Sequence, residues 1–168
     1  MTALSHLPLF ADLRGRDVLV VGAGEVAARK VALLERAGAR ILVVAPALGP
    51  ALEERVTAQA VKWLAPAFLA EQLAGCALVV AATDDAQVNA SVATAARLRG
   101  LPVNVVDDPA LSTVILPAII DRSLLLIAIS TGGAAPVLAR RLRAEIETLV
   151  DGAWAGLITL AARWRARI

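Results

Sequence analysis

The first two thirds of the chain alternate between short apolar runs and longer mixed segments. The apolar runs are bounded by turn residues, as is typical of buried parallel strands, and lie at 18–21, 40–45, 61–64, 76–82 and 103–106. Helix-prone segments are predicted between them at 25–37, 48–59, 66–73 and 86–99. The alternation predicts an α/β fold, a Rossmann-like, doubly wound parallel sheet.

The pattern changes after Pro109. Two apolar strands, 113–120 and 124–130, are separated only by 121–123, so a hairpin is predicted. Two helices are expected after it. The first carries apolar residues on one face at helical spacing: Val137, Leu138, Leu142, Ile146 and Leu149. Since a hairpin and two helices bury little surface alone, we expect a homodimer. The predicted domains are a dinucleotide-binding domain at 1–112 and a small α+β dimerisation and substrate-binding region at 113–168.

Composition raises the question of a membrane protein, because 58% of the 168 residues are hydrophobic and the mean hydropathy is +0.70. No apolar run approaches the ~20 residues of a spanning helix, and no secretory signal is visible at the N-terminus. A single cysteine, Cys76, excludes an internal disulfide and fits a reducing compartment. We therefore expect a cytoplasmic protein without a membrane partner.

The net charge of +2 is unevenly distributed, since residues 134–168 contain six arginines and three acidic residues. This basic end lacks the aromatic interleaving and the motifs of nucleic-acid-binding proteins, so no nucleic-acid partner is expected. Two interpretations of the basic end remain: a solvated helix face, and a binding surface for a polyanionic small molecule.

The first apolar run leads directly into Gly22-Ala-Gly24 and a helix-prone segment. In a dinucleotide-binding turn Gly22 allows the sharp turn, Gly24 lets the backbone approach a pyrophosphate, and Ala27 takes the place of the third glycine. The first amides of the following helix suit an anion. The pattern favours a dinucleotide site over a purely structural turn.

One residue of the usual dinucleotide-binding sequence pattern is missing. An acidic residue is expected ~20 residues after the glycines to bind the ribose hydroxyls, but the second strand ends at Ala45-Pro46. The ribose must be held by backbone groups or by another side chain, and NAD is not favoured over NADP on this ground. Thr83 and Asp84 follow the fourth strand at the edge where such sheets bind ligands. Alternatively, one of them caps the next helix.

A series of motifs occurs in order along the chain, at residues 7–10, 20–30, 44–46, 81–85, 104–107, 117–123 and 130–140. Over about residues 6–150 the series resembles the precorrin-2 dehydrogenase / sirohydrochlorin ferrochelatase family, the N-terminal module of siroheme synthase. The resemblance implies a dimer that oxidises precorrin-2 to sirohydrochlorin with NAD⁺. Many members also insert Fe²⁺ to give siroheme.

The resemblance also implies site residues. The NAD contacts map onto Gly22, Gly24, Glu25, Val26, Pro46, Ala47, Thr83 and Asp84. The catalytic aspartate maps onto Asp107, which follows the fifth strand and is placed to act as a general base. Its alternative role is that of a turn residue before Pro109, and Asp108 is a competing candidate.

Precorrin-2 carries many carboxylates, which gives the basic end a possible role. Arginine guanidinium groups suit carboxylates, and the turn before the first C-terminal helix offers hydroxyls and backbone N–H groups. The predicted substrate contacts are Asn104, Ser130, Thr131, Gly132, Arg140 and Arg141, the two arginines being expected to begin that helix.

The sequence offers few candidate ligands for an iron ion. Fe²⁺ is usually held by imidazole, thiolate or carboxylate groups, but His6 and Cys76 stand alone. Asp107 is the best candidate metal contact. Two other functions stay open: a non-catalytic nucleotide-sensing Rossmann module, and an inactive dimerising fragment of a larger siroheme synthase. The missing acid disfavours the first, because sensing modules use an acidic residue after the second strand.

Overall fold

The computed structural model describes residues 5–165, which form two compact units. The first unit is Leu7–Val114. The second contains residues 115–165 together with Ser5 and His6.

The first unit is built around a five-stranded sheet in the order β3-β2-β1-β4-β5, in which every pairing is parallel. Its strands are β1 Asp17–Val21, β2 Arg40–Val44, β3 Val61–Ala65, β4 Cys76–Ala81 and β5 Val103–Val105. Its helices are α1 Glu25–Arg36, α2 Pro50–Thr57 and α3 Ala86–Leu98, with a short 3₁₀ helix at Ala70–Leu73. The predicted Rossmann-like fold is confirmed.

The neighbouring strands β1 and β4 contribute much of the core because they are apolar on both faces. Leu19 of β1 and Val79 of β4 are fully buried, and Val92 of α3 packs in the same cluster. Truncating a fully buried leucine to alanine typically costs about 2–5 kcal/mol of stability. The turns that follow β1 and β4 are therefore attached to strands that are firmly held in the core.

The second unit contains the antiparallel hairpin of β6 Ala118–Arg122 and β7 Leu125–Ile129, followed by α4 Pro136–Leu149 and α5 Ala153–Arg165. The hairpin prediction is confirmed, but its link was misplaced. Asp121 and Arg122 belong to β6, and the turn is formed by Ser123 and Leu124. Ser123 adopts a left-handed backbone (φ +65°) and its amide donates to the Asp121 carboxylate.

The prediction of a strand from residue 113 was also wrong. Residues 113–117 precede β6, and the polar groups of Ser112 and Thr113 bond to β5 instead. The amide and the hydroxyl of Thr113 bond to the backbone of Val103, and the Ser112 hydroxyl bonds to the backbone of Val105. Pro117 lacks the N–H that a ladder needs.

A short helix near 66–73 was expected, but only the 3₁₀ helix at Ala70–Leu73 forms. The side-chain oxygen of Gln72 accepts from the Leu69 amide and its nitrogen donates to the Ala67 carbonyl, which fixes the chain before the turn in a non-helical form. No helix among residues 5–165 is long and apolar enough to cross a membrane.

Candidate functional site

The turn after β1 is closed by main-chain contacts. Gly22 has φ +112°, a region that side chains disfavour. A Cβ at Gly22 would lie 2.7 Å from the carbonyl carbon of Ala82. The Ala82 amide donates to Val21 at 2.7 Å, and the Gly22 amide donates to Val44 at 2.8 Å. Glycine is therefore required at position 22 by the fold itself.

Gly24 differs from Gly22. Its backbone is ordinary and extended (φ −78°, ψ −174°), and it caps α1 without a side-chain hydrogen bond. A Cβ there would meet no described atom within 4 Å. The fold does not require glycine here, but its absent side chain leaves space at the α1 N-terminus. The amides of the first helical turn, from Glu25 through Ala27, have no intrahelical acceptor and carry partial positive charge.

The segment after β2, which we call the β2 corner (residues 45–49), borders this space. Pro46 and Ala47 are exposed. The Gly49 amide donates to the Ala23 carbonyl at 3.1 Å, and a Cβ at Gly49 would lie 2.7 Å from that oxygen. The β2 corner is thus attached to the glycine turn by a contact that excludes any side chain.

The segment after β4 also lies at the carboxyl edge of the sheet. Thr83 is half-buried, its hydroxyl donates to the Asn89 side-chain oxygen at 2.9 Å, and its carbonyl accepts from the Asn89 side-chain nitrogen at 2.9 Å. The N-cap of α3 is Asp85, whose carboxylate accepts from the amides of residues 87 and 88. The alternative role of Thr83 or Asp84 as the helix cap was therefore wrong. Asp84 is exposed at the carboxyl edge of the sheet.

The two aspartates after β5 have different surroundings. Asp108 stabilises the turn, since its carboxylate accepts from the Leu111 amide at 3.0 Å and its carbonyl accepts from the Ser112 hydroxyl at 2.9 Å. Asp107 is exposed and left-handed (φ +58°), a conformation in which Asp is enriched among non-glycine residues. Asp107 itself lies in the turn at 106–107, so its expected alternative as a turn residue holds for its backbone, while the carboxylate that accepts a hydrogen bond within this segment is that of Asp108.

Lys30 is a charged neighbour of Asp107 that the sequence analysis missed. It lies on α1, half-buried, beside the exposed Arg29. Burial lowers the pKa of the Lys30 ammonium, and the Asp107 carboxylate opposes that shift. The signal in the sequence is weak, because a lysine in the second turn of an amphipathic helix ordinarily faces solvent.

Asn104 is the buried polar residue of β5, only 7% exposed. Its side-chain amide donates to the Val114 carbonyl at 3.1 Å. This bond holds the segment that follows the Asp107 turn, and a substrate contact by Asn104 stays a prediction.

The remaining predicted contacts lie in the second unit. The Ser130 hydroxyl accepts from the Gly132 amide at 3.0 Å, and the Thr131 hydroxyl accepts from the Ala135 amide at 3.1 Å. Arg140 and Arg141 do not begin α4, which starts at Pro136 because proline suits the first helical turn. Both arginines are exposed in the second turn, and Arg141 pairs with Glu145 at 2.9 Å.

Metal-ligating groups do not cluster among residues 5–165, where no three His, Cys, Asp or Glu side chains converge. Cys76 is half-buried at the start of β4, and burial raises the pKa of its thiol. A cavity of about 540 Å³ lies beside it, at the amino edge of the sheet, and contains none of the predicted site residues. In open α/β sheets ligands bind at the opposite, carboxyl edge. The glycine turn, Thr83, Asp84 and Asp107 follow the strands at that edge.

A parallel sheet with a glycine turn, an open helix N-terminus and loops at its carboxyl edge is the architecture of Rossmann-type dinucleotide-binding proteins. The chain belongs to the NAD(P)-binding family whose model matches residues 9–118. Residues 125–149 match the central region of sirohaem biosynthesis proteins.

Curated relatives confirm the resemblance found in the sequence. The chain is 53% identical over 165 residues to siroheme synthase 1 of Pectobacterium atrosepticum, a match that covers 98% of this chain and 34% of that protein. It is 52% identical over 165 residues to siroheme synthase of Methylobacillus flagellatus, with 98% and 35% covered. The chain thus spans about a third of the length of these relatives. A solved structure, SirC, precorrin-2 dehydrogenase, matches 96% of this chain and 79% of its own with a TM-score of 0.76 and 27% identity.

Proposed function

We propose that this chain oxidises precorrin-2 to sirohydrochlorin with NAD⁺. The observation that carries the proposal is the joint position of the Gly22–Gly24 turn and Asp107, which follow β1 and β5 at one edge of one parallel sheet. The likeness to SirC, a precorrin-2 dehydrogenase, supports the choice of substrate. The siroheme synthases that match nearly the whole chain support the choice of pathway.

The first unit holds the cofactor in this proposal. The N-terminus of α1 binds the pyrophosphate with its amides, because Gly24 adds no side chain to the space in front of them. The β2 corner, with Pro46 and Ala47, faces the adenosine half, and Thr83 and Asp84 form the wall after β4. Bound NAD⁺ supplies the hydride acceptor.

Asp107 takes the proton. Dehydrogenation removes a hydride and a proton from the macrocycle, and the exposed Asp107 carboxylate is the base that receives the proton. A positioned general base contributes about 10²–10⁴-fold to the rate. The Lys30 ammonium places a positive charge near that carboxylate. Asp108 uses its carboxylate within the turn, whereas the Asp107 carboxylate is on an exposed residue.

The second unit serves substrate binding and dimer formation. The exposed guanidinium groups of Arg140 and Arg141 suit the carboxylates of precorrin-2, and the 130–132 turn adds backbone N–H groups. The apolar face of α4 is largely exposed in the single chain, with Val137 at 70% and Leu149 at 75%. Such a face favours burial against a second copy of this chain. The proposed domains are residues 1–112 and 113–168.

Fe²⁺ enters the proposal as a second substrate, inserted into sirohydrochlorin to give siroheme. Chelation removes pyrrole protons, which again requires a base, and Asp107 is the candidate both for that role and for a contact to the metal.

The decisive experiment mixes the purified chain with precorrin-2 and NAD⁺ and follows the absorbance change to sirohydrochlorin. Turnover supports the dehydrogenase. Binding of NAD⁺ without turnover supports a nucleotide-sensing module, and dimer formation without either supports an inactive fragment. Repeating the reaction with Fe²⁺ or Co²⁺ tests chelation separately.

A further inference from the structure

A bulge in β3 follows directly after Trp63. The parallel register pairs Val43 with Trp63 and then Val44 with Ala65, so Leu64 is an extra residue in β3. Bulges bend a strand locally, re-aim its side chains and are frequent beside functional sites. Here the bulge coincides with a Trp63 indole that reaches the first residue after β2.

The indole N–H holds the beginning of the β2 corner. It donates to the carbonyls of Ala45 and Ala65, both at 3.1 Å. The Ala45 amide donates to the same Ala65 carbonyl at 3.1 Å. Both backbone polar groups of Ala45 are therefore occupied by the β3 segment, while the other end of the corner is fixed through Gly49 to the glycine turn.

The β2 corner has no charge of its own. Residues 45–52 contain no acidic or basic side chain, although a carboxylate normally binds the adenosine ribose at this place in a dinucleotide site. Backbone groups can take over that task only when their directions are fixed, because a mobile loop loses entropy on binding. Trp63 supplies such a restraint from outside the corner.

Trp63 is not a core residue in the usual sense. The residue is 43% exposed, close to the 47% of Trp154, and what distinguishes Trp63 is where its indole N–H donates. The indole N–H contacts the carbonyls of Ala45 and Ala65. The polar tip of the indole thus has a defined structural role.

We propose that Trp63 is a positioning residue of the cofactor site. Its indole N–H fixes the backbone of the β2 corner, and the fixed corner binds the adenosine ribose of the cofactor in place of a carboxylate. This inference rests on the proposed function, since it concerns the same cofactor. Trp63 acts through Ala45 and is not a catalytic residue.

The first test is Trp63→Phe, which keeps an aromatic ring and removes the N–H donor. Losing one or two neutral hydrogen bonds raises the Kd of NAD⁺ and of ADP-ribose by the same factor, about three- to tenfold. The Kd of nicotinamide mononucleotide stays unchanged, because it lacks the adenosine half. In turnover, KM for NAD⁺ rises while kcat does not change. Trp154→Phe in α5 is the matched control and leaves all these values at wild type.

A second measurement uses a protein with its native Trp63. The chain has three tryptophans, so Trp154→Phe combined with Trp164→Phe leaves Trp63 as the fluorophore. Saturating ADP-ribose is expected to shift its emission, and nicotinamide mononucleotide is not. Unchanged emission with ADP-ribose, or equal Kd values for Trp63→Phe and wild type, overturns the role of Trp63.

The two proposals fail in distinguishable ways. If the wild-type chain binds neither NAD⁺ nor ADP-ribose, the proposed dehydrogenase fails and the role of Trp63 with it. If the wild type oxidises precorrin-2 and Trp63→Phe binds ADP-ribose equally well, only the role of Trp63 is refuted. A thermal melt of each variant separates loss of folding from loss of binding.

Discussion

The two glycines of the turn after β1 allow one substitution to be compared at two positions. Gly24→Ala introduces a methyl group into space with no described atom within 4 Å, on a backbone that alanine adopts freely. Alanine is a poorer helix cap than glycine, but it also lowers the entropy of the unfolded chain, and the two effects nearly cancel. The free energy of unfolding should change by less than about 1 kcal/mol, so Tm moves by less than about 4 °C.

Binding should respond very differently. The added methyl group occupies the space in front of the α1 amides where the pyrophosphate is proposed to lie. Crowding a close contact by one methyl group costs about 1–3 kcal/mol, which raises the Kd of NAD⁺ roughly 5- to 150-fold. Isothermal titration calorimetry measures this Kd, and a thermal melt without cofactor measures the stability.

Gly22→Ala is the matched comparison. Its methyl group would collide with the main chain of Ala82, and its φ of +112° is strained for alanine. Backbone strain and collision together cost at least about 2 kcal/mol, lowering Tm by at least about 4 °C. Wild-type affinity in Gly24→Ala would refute the proposed position of the pyrophosphate, and an unchanged Tm in Gly22→Ala would refute the argument from the Ala82 contact.

Four further predictions concern the rest of the molecule. Asp107→Asn should lower kcat about 10²–10⁴-fold, because asparagine cannot act as a base. Tm and the Kd for NAD⁺ should not change, because asparagine tolerates the left-handed backbone. Full turnover by this variant would eliminate Asp107 as the base. The double variant Arg140→Ala, Arg141→Ala should raise KM for precorrin-2 by roughly tenfold or more, as charged hydrogen bonds are lost, whereas a wild-type KM would place the substrate carboxylates elsewhere. Burial raises the pKa of the Cys76 thiol, and only the thiolate reacts with a disulfide reagent. At pH 8 the folded chain should therefore react more slowly than the unfolded chain, and its rate should rise toward higher pH. Equal rates for the folded and unfolded chains would contradict the burial of this thiol. Leu138→Lys, at a position 49% exposed on α4, should leave the fold intact and convert a dimer into a monomer in sedimentation experiments, and a persistent dimer would exclude this face from the interface.

The parallel sheet was predictable because its signals are local. Val18 and Val79 lie in runs that are apolar at every position, a pattern typical of strands buried on both faces of a parallel sheet. The Gly22–Gly24 turn was predictable for the same reason, since the strand, the turn and the helix are contiguous in the sequence.

The errors arose where distant or competing polar groups decide the structure. Thr113 has the composition of a strand residue, but its hydroxyl and amide bond to Val103, ten residues earlier. Thr83, Asp84 and Asp85 are all good helix caps, and their sequence does not say which one takes the role. The half-burial of Lys30 depends on where α1 packs, so no periodicity reveals it.

The contact between the turns after β1 and β4 has a thermodynamic consequence. Gly22 lies against Ala82, and the Ala82 amide bonds to Val21, so the two turns form one main-chain unit before any cofactor arrives. Amide hydrogens at positions 22 and 82 should exchange slowly with solvent in the free protein and gain little protection when NAD⁺ binds. The entropy lost on binding should then come mainly from the cofactor, whose rotatable bonds become fixed on a surface that is already assembled.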